Sequence, residues 1–395
     1  PAVNSIFSEH FLAFCALDSI LFSCYPNKSK LQLTFARVFF IMKKFLICSV
    51  IGLGFLLSGC SGEADVQSAS ASAAALSASS DNVSQSTELF AMDTVMTLTA
   101  YGSQAAAALD AGAAEIDRLD ALFSISSASG DILSLNQNGT GTVSDDTAAL
   151  LSRALEVSNL TDGLFDCTIA PIMEAWGFPS GNYRVPQADE LTHLLEKVDY
   201  QQVSLAPSGQ VTLASGTAID LGGIAKGYTS DRLMQVFADN GVTSGIVSLG
   251  GNVQTLGHKP DGSLWHIAIQ DPFDTTQTFA VVDVADKAVI TSGGYQRYFD
   301  QGGTRYHHII DPRTGYPADS GLVSVTIVSA DGTLADGLST ALFIMGRDAA
   351  VSFWQQHPDA FDAVLVEENG TVTITEGLEG LFTLTGGGTP EVVYA

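Results

Sequence analysis

Segments with strand-like and helix-like patterns alternate along this chain from residue 88 onward, and their order constrains the fold more than any other feature. Residues 93–101 alternate as a strand does, whereas 105–123 are Ala-rich with Asp and Arg at helical spacing. Residues 203–213 indicate a hairpin around Pro207-Ser208-Gly209. Because many connections have hairpin length, we predict an α+β fold with mixed or antiparallel sheets and packed helices rather than a doubly wound sheet.

The same patterns predict further elements within one large domain. Helices are predicted at 146–159, 188–197, 226–240 and within 333–345, and strands at 265–270, 279–284, 323–329 and 363–367. Residues 88–395 are numerous enough for one large core or two closely packed ones. We therefore predict a single large domain of two intimately joined lobes.

The chain before residue 88 predicts export and attachment to a membrane. Residues 1–41 are interpreted as an upstream non-native segment. Residues 42–59 join a cationic start to an apolar run too short to span a bilayer, and with Cys60 they resemble a lipoprotein signal peptide and its lipidated cysteine. The alternative is a buried hydrophobic helix with a chance cysteine. Residues 60–87, rich in Ser and Ala, are predicted to be a flexible tether.

Charge and cysteine content exclude several classes of function. The formal net charge is -26, and nucleic-acid phosphates favour Lys and Arg, so we expect no nucleic-acid partner. So acidic a protein holds an anionic substrate only where a metal ion or backbone amides are recruited locally. Cys167 is the one cysteine after residue 60, so residues 88–395 contain neither a disulfide nor a cysteine-based zinc site.

Two glycine-rich segments are candidates for backbone packed against a ligand. In Asp220-Leu221-Gly222-Gly223-Ile224-Ala225-Lys226-Gly227, a strand end leads through paired glycines into a helix whose first turn holds Lys226, which is a favourable site for an anion. Asp220 can hold a ligand hydroxyl or amine. An ordinary tight turn explains the segment equally well. A second pair, Gly250-Gly251, ends an apolar run before Asn252, and chance in a Gly-rich chain is its alternative.

A third segment places histidines beside a constrained loop. His307 and His308 precede Asp311-Pro312-Arg313-Thr314-Gly315-Tyr316-Pro317, which is dense in turn-forming residues. A lone histidine is more often a structural hydrogen-bonding group. Next to Asp311, His308 can also position or deprotonate a nucleophilic hydroxyl.

The fourth segment, residues 333–345, places two oxygen ligands one turn apart on a predicted helix. Asp336 and Thr340 are four residues apart and therefore share a helix face. A carboxylate and a hydroxyl suit Mg²⁺, which accepts few protein ligands and keeps substrate phosphates and waters. Alternatively, Asp336 only favours the helix dipole while Thr340 bonds back to a carbonyl.

Taken in order, these segments resemble the ApbE family of FAD:protein FMN transferases. The resemblance runs from about Phe90 to Gly346. Its shared motifs are Met92-Asp93-Thr94, Phe123-Ser124, Leu135-Asn136, Thr161-Asp162-Gly163-Leu164-Phe165-Asp166, Trp176-Gly177-Phe178 and the four segments above. Three positions depart from the usual family pattern: Ser126 replaces an aromatic residue that would stack on the flavin, and Cys167 and Gly130-Asp131 are replacements that we expect to be tolerated.

The resemblance implies roles for individual residues. The expected FAD-binding residues are Met92, Leu164, Phe165, Asp166, Asp220, Lys226 and His308. The expected Mg²⁺ ligands are the Gly223 carbonyl, the Asp336 carboxylate and the Thr340 hydroxyl. The expected catalytic group comprises His308 as proton acceptor, Asp311 orienting it and Lys226.

The resemblance also implies an activity and partners. FMN would move from FAD to a Thr or Ser hydroxyl of another protein, AMP would leave, and the expected acceptors are subunits of sodium-pumping NADH:quinone oxidoreductase (Nqr), Rnf-type complexes or FMN-binding-domain proteins. The expected location is the extracytoplasmic face of a bacterial membrane, reached through the lipid anchor. Two alternatives stay open: an FAD pyrophosphatase that releases FMN and AMP, and a non-catalytic FAD-binding lipoprotein.

Overall fold

The computed structural model describes residues 83–395, which belong to one compact unit. The helices are α1 Ala105–Phe123, α2 Asp131–Asn138, α3 Asp145–Leu160, α4 Ala170–Trp176, α5 Ala188–Leu195, α6 Ala225–Asp239, α7 Gly332–Met345 and α8 Arg347–Gln356. The strands are β1 Ser84–Ala91, β2 Thr94–Tyr101, β3 Thr140–Thr142, β4 Val203–Leu205, β5 Gln210–Leu213, β6 Gly245–Leu249, β7 Asn252–Leu256, β8 Trp265–Gln270, β9 Thr278–Val284, β10 Ala288–Gly293, β11 Tyr298–Gln301, β12 Thr304–His307, β13 Leu322–Ser329, β14 Asp362–Glu367, β15 Val372–Thr375, β16 Phe382–Leu384 and β17 Glu391–Val393. Within these residues no helix is long and apolar enough to cross a membrane.

A nine-stranded sheet organises the described residues. Its order is β1-β2-β6-β7-β10-β13-β14-β15-β17, and all neighbours are antiparallel except β15 and β17. Three smaller sheets have the orders β16-β9-β8, β3-β5-β4 and β11-β12. Antiparallel pairing of neighbours fits the hairpin-length spacing in the sequence. The predicted α+β architecture is therefore found.

The central strands of the large sheet are buried on both faces. Because successive side chains of a strand point to opposite faces, Ile290 and Ile327 pack in the core formed with the helices, whereas Val289 and Val328 pack against the β16-β9-β8 sheet. Helix α7 lies against β10 and β13 on the helical face. The candidate site residues on α7, Asp336 and Thr340, therefore lie in the interior of the domain.

Helices α6 and α7 approach each other closely at a glycine. A methyl group at Gly227, in the first turn of α6, would lie 2.2 Å from the carbonyl oxygen of Gly332 and 2.7 Å from Cβ of Asp336. Such contacts are far inside van der Waals distance, so glycine is required at this crossing. The crossing places the first turn of α6 beside the Asp336 side chain.

Most predicted elements are found with boundaries within two residues, and the longest helix, α1, is found as predicted. Its buried residues follow helical spacing, which is why periodicity located it: Ala105, Ala108, Leu109, Gly112, Ile116, Leu119 and Phe123. The tether boundary was wrong. Strand β1 begins at Ser84, inside the predicted tether, because the backbone of its polar residues pairs with β2 from Ser84 opposite Tyr101 onward. The predictions for residues 1–82, including Cys60, lie outside the described residues.

Candidate active site

One large cleft gathers the predicted site residues. It has a volume of about 1460 Å³, more than the roughly 300–1,000 Å³ of ordinary ligand pockets. It is lined by Met92, Leu164, Phe165, Asp166, Asp220, Gly223, Lys226, His308, Asp336 and Thr340. The chain thus brings together residues that are up to 248 positions apart in sequence. Of the predicted site residues between 83 and 395, Asp311 is the one that does not line the cleft.

At one end of the cleft, Asp336 presents a buried carboxylate. The residue is 4% exposed, and its Oδ2 accepts a hydrogen bond from the Gly227 backbone N–H at 2.8 Å, while Oδ1 accepts one from Asn252 Nδ2 at 2.8 Å. Both donors are neutral, and Asp336 takes part in no salt bridge within the described residues. Buried carboxylates in proteins are normally paired with a cation or a metal ion. The Asp336 carboxylate therefore keeps its negative charge available to a cation.

Two further residues with oxygen atoms, Thr340 and Gly223, lie near this carboxylate. Thr340 projects from the same face of α7, and its Oγ1 is 3.5 Å from Ser292 Oγ. Gly223 is close to it, since a methyl group at Gly223 would lie 3.8 Å from Thr340 Oγ1 and 3.1 Å from the Phe165 ring. Carboxylate, hydroxyl and carbonyl oxygens are ligands that Mg²⁺ accepts. Between residues 83 and 395 no cluster of three or more His, Cys, Asp or Glu could hold a metal, so any metal here would use this single-carboxylate set.

The cleft contains few positive charges. Lys226 and Arg297 are its basic residues, against the carboxylates of Asp93, Asp120, Asp166, Glu174, Asp220 and Asp336. The Arg297 guanidinium donates a hydrogen bond to the Phe178 carbonyl and lies over the Phe178 ring. Burial raises the pKa of Asp220, an effect that the nearby charges of Arg297 and Lys226 oppose. These two cations are the groups of the described chain that can meet an anionic ligand in the cleft.

His308 is oriented by a different partner from the one predicted. Its Nδ1 lies 3.1 Å from the Arg297 carbonyl oxygen, which can only accept, so Nδ1 carries the proton and donates it. Burial lowers the pKa of His308 to about 3, so the imidazole is neutral at physiological pH. The remaining ring nitrogen, Nε2, then has a lone pair with which to accept a proton.

The prediction that Asp311 orients His308 was wrong. Asp311 is buried, and its carboxylate accepts hydrogen bonds from the Arg313 backbone N–H and guanidinium, the closest at 2.7 Å. The turn that begins at Asp311 directs its side chain back onto its own loop. Asp311 therefore holds the loop that follows His308 and does not reach the imidazole.

The family model for the ApbE family matches residues 92–365. This chain belongs to the ApbE family. Proteins named FAD:protein FMN transferase from Treponema pallidum and Klebsiella pneumoniae are 35% and 33% identical to it, over 58% and 66% of this chain and 68% and 82% of theirs. The crystal structure of the ApbE protein from Thermotoga maritima has a TM-score of 0.72 at 33% identity, covering 76% of this chain and 99% of that one. The apo flavinyl transferase ApbE of Pseudomonas stutzeri gives 0.68 at 27%, covering 78% and 98%. The predicted family, fold class and enzyme class, a transferase, are confirmed.

Several residues of this ApbE-family cleft were not selected from the sequence. Asn252 was noted only as a polar residue after a Gly pair, yet it bonds to Asp336 across 84 positions. Ser292 Oγ lies 2.8 Å from Ser339 Oγ, and the Arg297 carbonyl holds His308. The available signals were a polar side chain after the Gly250-Gly251 pair for Asn252 and a polar side chain at the end of an apolar strand for Ser292. No local signal indicates the role of a backbone carbonyl such as that of Arg297.

One residue expected to bind the cofactor uses its carboxylate within the protein. Asp166 Oδ1 accepts from the Thr168 backbone N–H and hydroxyl at 2.8 and 2.6 Å, and Oδ2 accepts from the Tyr200 backbone N–H at 3.0 Å. Burial raises the pKa of Asp166, and these hydrogen bonds oppose the increase. Asp166 lines the cleft, but its hydrogen bonds stabilise the loop that carries Phe165.

The positions that depart from the family pattern differ in their surroundings. Ser126 lines the cleft, so the wall there offers a hydroxyl where an aromatic ring was expected. Cys167 is buried in the core with a free thiol. Asp131 accepts hydrogen bonds from Ser144 and Thr147, and so ties α2 to the start of α3.

Proposed function

We propose that this chain is an FAD:protein FMN transferase that works with Mg²⁺ and moves FMN from FAD to a Ser or Thr hydroxyl of an extracytoplasmic acceptor protein, releasing AMP. Family membership and the names of the relatives support the transfer reaction. The observation that supports the role of Mg²⁺ is the buried Asp336 carboxylate, which faces the cleft with neutral hydrogen-bond donors and no cationic partner in the described chain.

The residues present fit a magnesium ion. Asp336, Thr340 and the Gly223 carbonyl would hold it, and it would offset negative charge on the phosphoryl oxygens of the bound diphosphate. Six carboxylates line the cleft against two basic side chains, so a diphosphate binds there only with added positive charge. A one-carboxylate site suits a metal that keeps substrate oxygens and water among its ligands.

The chain's own residues divide the remaining tasks. Lys226, in the first turn of α6, and Arg297 bind phosphate oxygens; the helix N-terminus adds favourable dipole. The acceptor hydroxyl oxygen forms a bond to the phosphorus on the FMN side, the bond from that phosphorus to the bridging oxygen breaks, and AMP leaves with that oxygen. His308 Nε2 accepts the hydroxyl proton, since Nδ1–H is held by the Arg297 carbonyl.

Location and partners form part of the proposal. Cys60 as a lipid anchor and residues 60–82 as a tether would hold the domain near the outer face of the membrane, where Nqr-type, Rnf-type and FMN-binding-domain acceptors would be reached. The proposed tether is shorter than the predicted 60–87, because the described structure begins at residue 83 and β1 begins at Ser84.

One experiment separates transfer from hydrolysis. The purified chain is incubated with FAD, Mg²⁺ and the FMN-binding domain of a sodium-pumping NADH:quinone oxidoreductase subunit. In-gel flavin fluorescence on the acceptor is expected, and it should disappear with EDTA. Free FMN without labelled acceptor would show a pyrophosphatase instead, and unchanged labelling in EDTA would contradict the metal requirement.

A further inference from the structure

An exposed apolar pair lies at the rim of the cleft. Phe90 and Val95 are directly opposite each other on β1 and β2, so their side chains share one face of the sheet. They are 70% and 59% exposed. Of the large apolar side chains that are exposed within residues 83–395, Phe90 is the one that also lines the cleft. Phe90 therefore lies at the edge of the cleft, with Val95 directly opposite it on the neighbouring strand.

The strands hold this pair rigidly. Met92 and Asp93 form the two-residue turn with φ of 48° and 59°, the left-handed geometry that tight hairpins require and that Met adopts at a cost. On the opposite face Met96 and Leu98 are fully buried, and residues 96–100 of β2 are also paired with β6. Because burial of the opposite face and pairing with β6 hold the hairpin in place, the side chains of Phe90 and Val95 stay exposed to solvent.

The surroundings of the pair are acidic. Glu88 lies two residues before Phe90 on the same face of β1, and Asp93 is in the turn. Asp117 and Asp120 lie on α1, which packs against the opposite face of the hairpin, and Asp120 is close to Met92 and Asp93 in the turn. Burial raises the pKa of Asp120, and repulsion from Asp93 and Asp117 adds to the increase. None of the four carboxylates forms a salt bridge within the described part of the chain. This rim suits a partner with an apolar side chain and a positive charge.

We propose that the acceptor protein docks on the tip of the β1–β2 hairpin, with an apolar side chain against Phe90 and Val95 and a basic side chain toward the carboxylates. This inference rests on the proposed function, because only transfer to a protein requires such a surface. An apolar contact would define where the acceptor segment lies, and charge would speed its approach. Hydrolysis of FAD by water needs neither.

The test separates docking from chemistry. Phe90→Thr and Val95→Thr keep strand-forming residues at exposed positions, so the fold should persist. We expect the double variant to lower kcat/KM for the FMN-binding domain of the Nqr-type subunit about tenfold, mainly through KM, as loss of a partly buried aromatic contact implies. Val95 does not line the cleft, so Val95→Thr alone should raise KM for the acceptor while its FAD binding, followed by flavin fluorescence titration, matches the wild type. Glu88→Lys should also raise KM for the acceptor, and added salt should reduce that difference.

A matched control lies on the same hairpin. Val83 is 54% exposed and lies at the far end of the hairpin. The variant Val83→Thr should transfer FMN at the wild-type rate. Equal transfer by the wild type and the Phe90/Val95 double variant would overturn the docking surface while leaving the proposed function intact. If the wild type releases FMN but labels no acceptor, the proposed function fails, and the docking proposal fails with it.

Discussion

Replacing Asp336 by Asn removes one negative charge from the cleft and nearly nothing else. Both partners of the carboxylate are donors, Gly227 N–H and Asn252 Nδ2, each at 2.8 Å. In Asp336→Asn the new amide oxygen can accept from Gly227, and the Asn252 amide can rotate to present its own oxygen to the new NH₂ group. Loss of charge-assisted hydrogen bonds costs about 1–3 kcal/mol, but the variant no longer buries an unpaired charge. Without metal, we therefore expect the free energy of unfolding of the variant to differ from that of the wild type by no more than about 2 kcal/mol.

The response to magnesium should differ sharply. A ligand at 100 times its Kd stabilises the folded state by about 2.7 kcal/mol, which corresponds to several degrees in Tm for a chain of this size. The wild type should show that increase in a thermal unfolding experiment with and without Mg²⁺, with FAD absent. Asp336→Asn should show little or none, and its FMN transfer should be lost.

A neighbouring carboxylate supplies the matched control. Asp231 accepts hydrogen bonds from the Gly332 and Thr333 backbone N–H groups and from Gln254, so it also joins α6 to α7 but does not line the cleft. Asp231→Asn should lower Tm and keep the Mg²⁺-dependent increase. An equal Mg²⁺-dependent increase in Asp336→Asn and the wild type would refute the assignment of the metal to this helix.

Three other measurements follow from the geometry. The pKa of His308 is about 3 in the folded state and about 6.5 in the unfolded state, so between these values the unfolded state binds more protons. The free energy of unfolding should therefore decrease as pH decreases from about 6.5 toward 3. His308→Asn should show a smaller decrease in denaturant titrations. Gly227→Ala should lower the free energy of unfolding by about 3 kcal/mol because its methyl group meets Gly332, whereas Gly141→Ala, with open space around it, should change it little. Arg297→Met should weaken FAD binding about tenfold in a fluorescence titration while Lys226 remains.

Periodicity located most elements of the fold because their burial is regular. Helix α1 buries residues at helical spacing, strand β8 buries alternate residues, and strand β13 is a nearly continuous buried apolar run; their boundaries were predicted within one residue. Helices α2 and α4 are short, and the β11–β12 ribbon is polar at its tip, so neither gives a strong pattern. Strand β1 was not predicted for a related reason: its first residues are polar and are held by backbone pairing rather than by burial.

The site shows where local reasoning fails. Asp311 is three residues from His308, and proximity in sequence suggested a contact that the turn prevents. The groups that do orient the site come from distant positions: Asn252 from the β6–β7 hairpin and the Gly227 N–H from α6. Which donors face a carboxylate depends on how two helices cross. In the sequence, the only sign of this crossing is the glycine at position 227. A glycine in a helix is ambiguous until its neighbour is known.

The neutral hydrogen bonds around Asp336 support the proposal that a cation binds there, which an ion pair within the protein would not. A Lys or Arg beside the carboxylate would stabilise the buried charge but also neutralise it, so that no net negative charge would be left to attract a metal ion. Amide donors stabilise the carboxylate while leaving its full charge in the cleft, at some expense in stability. The close crossing at Gly227 supplies one of those donors, since only a residue without a side chain lets the N–H of α6 reach Asp336 on α7. Substitution at Gly227 should therefore lower both stability and the apparent affinity for Mg²⁺, even though Gly227 itself holds no metal.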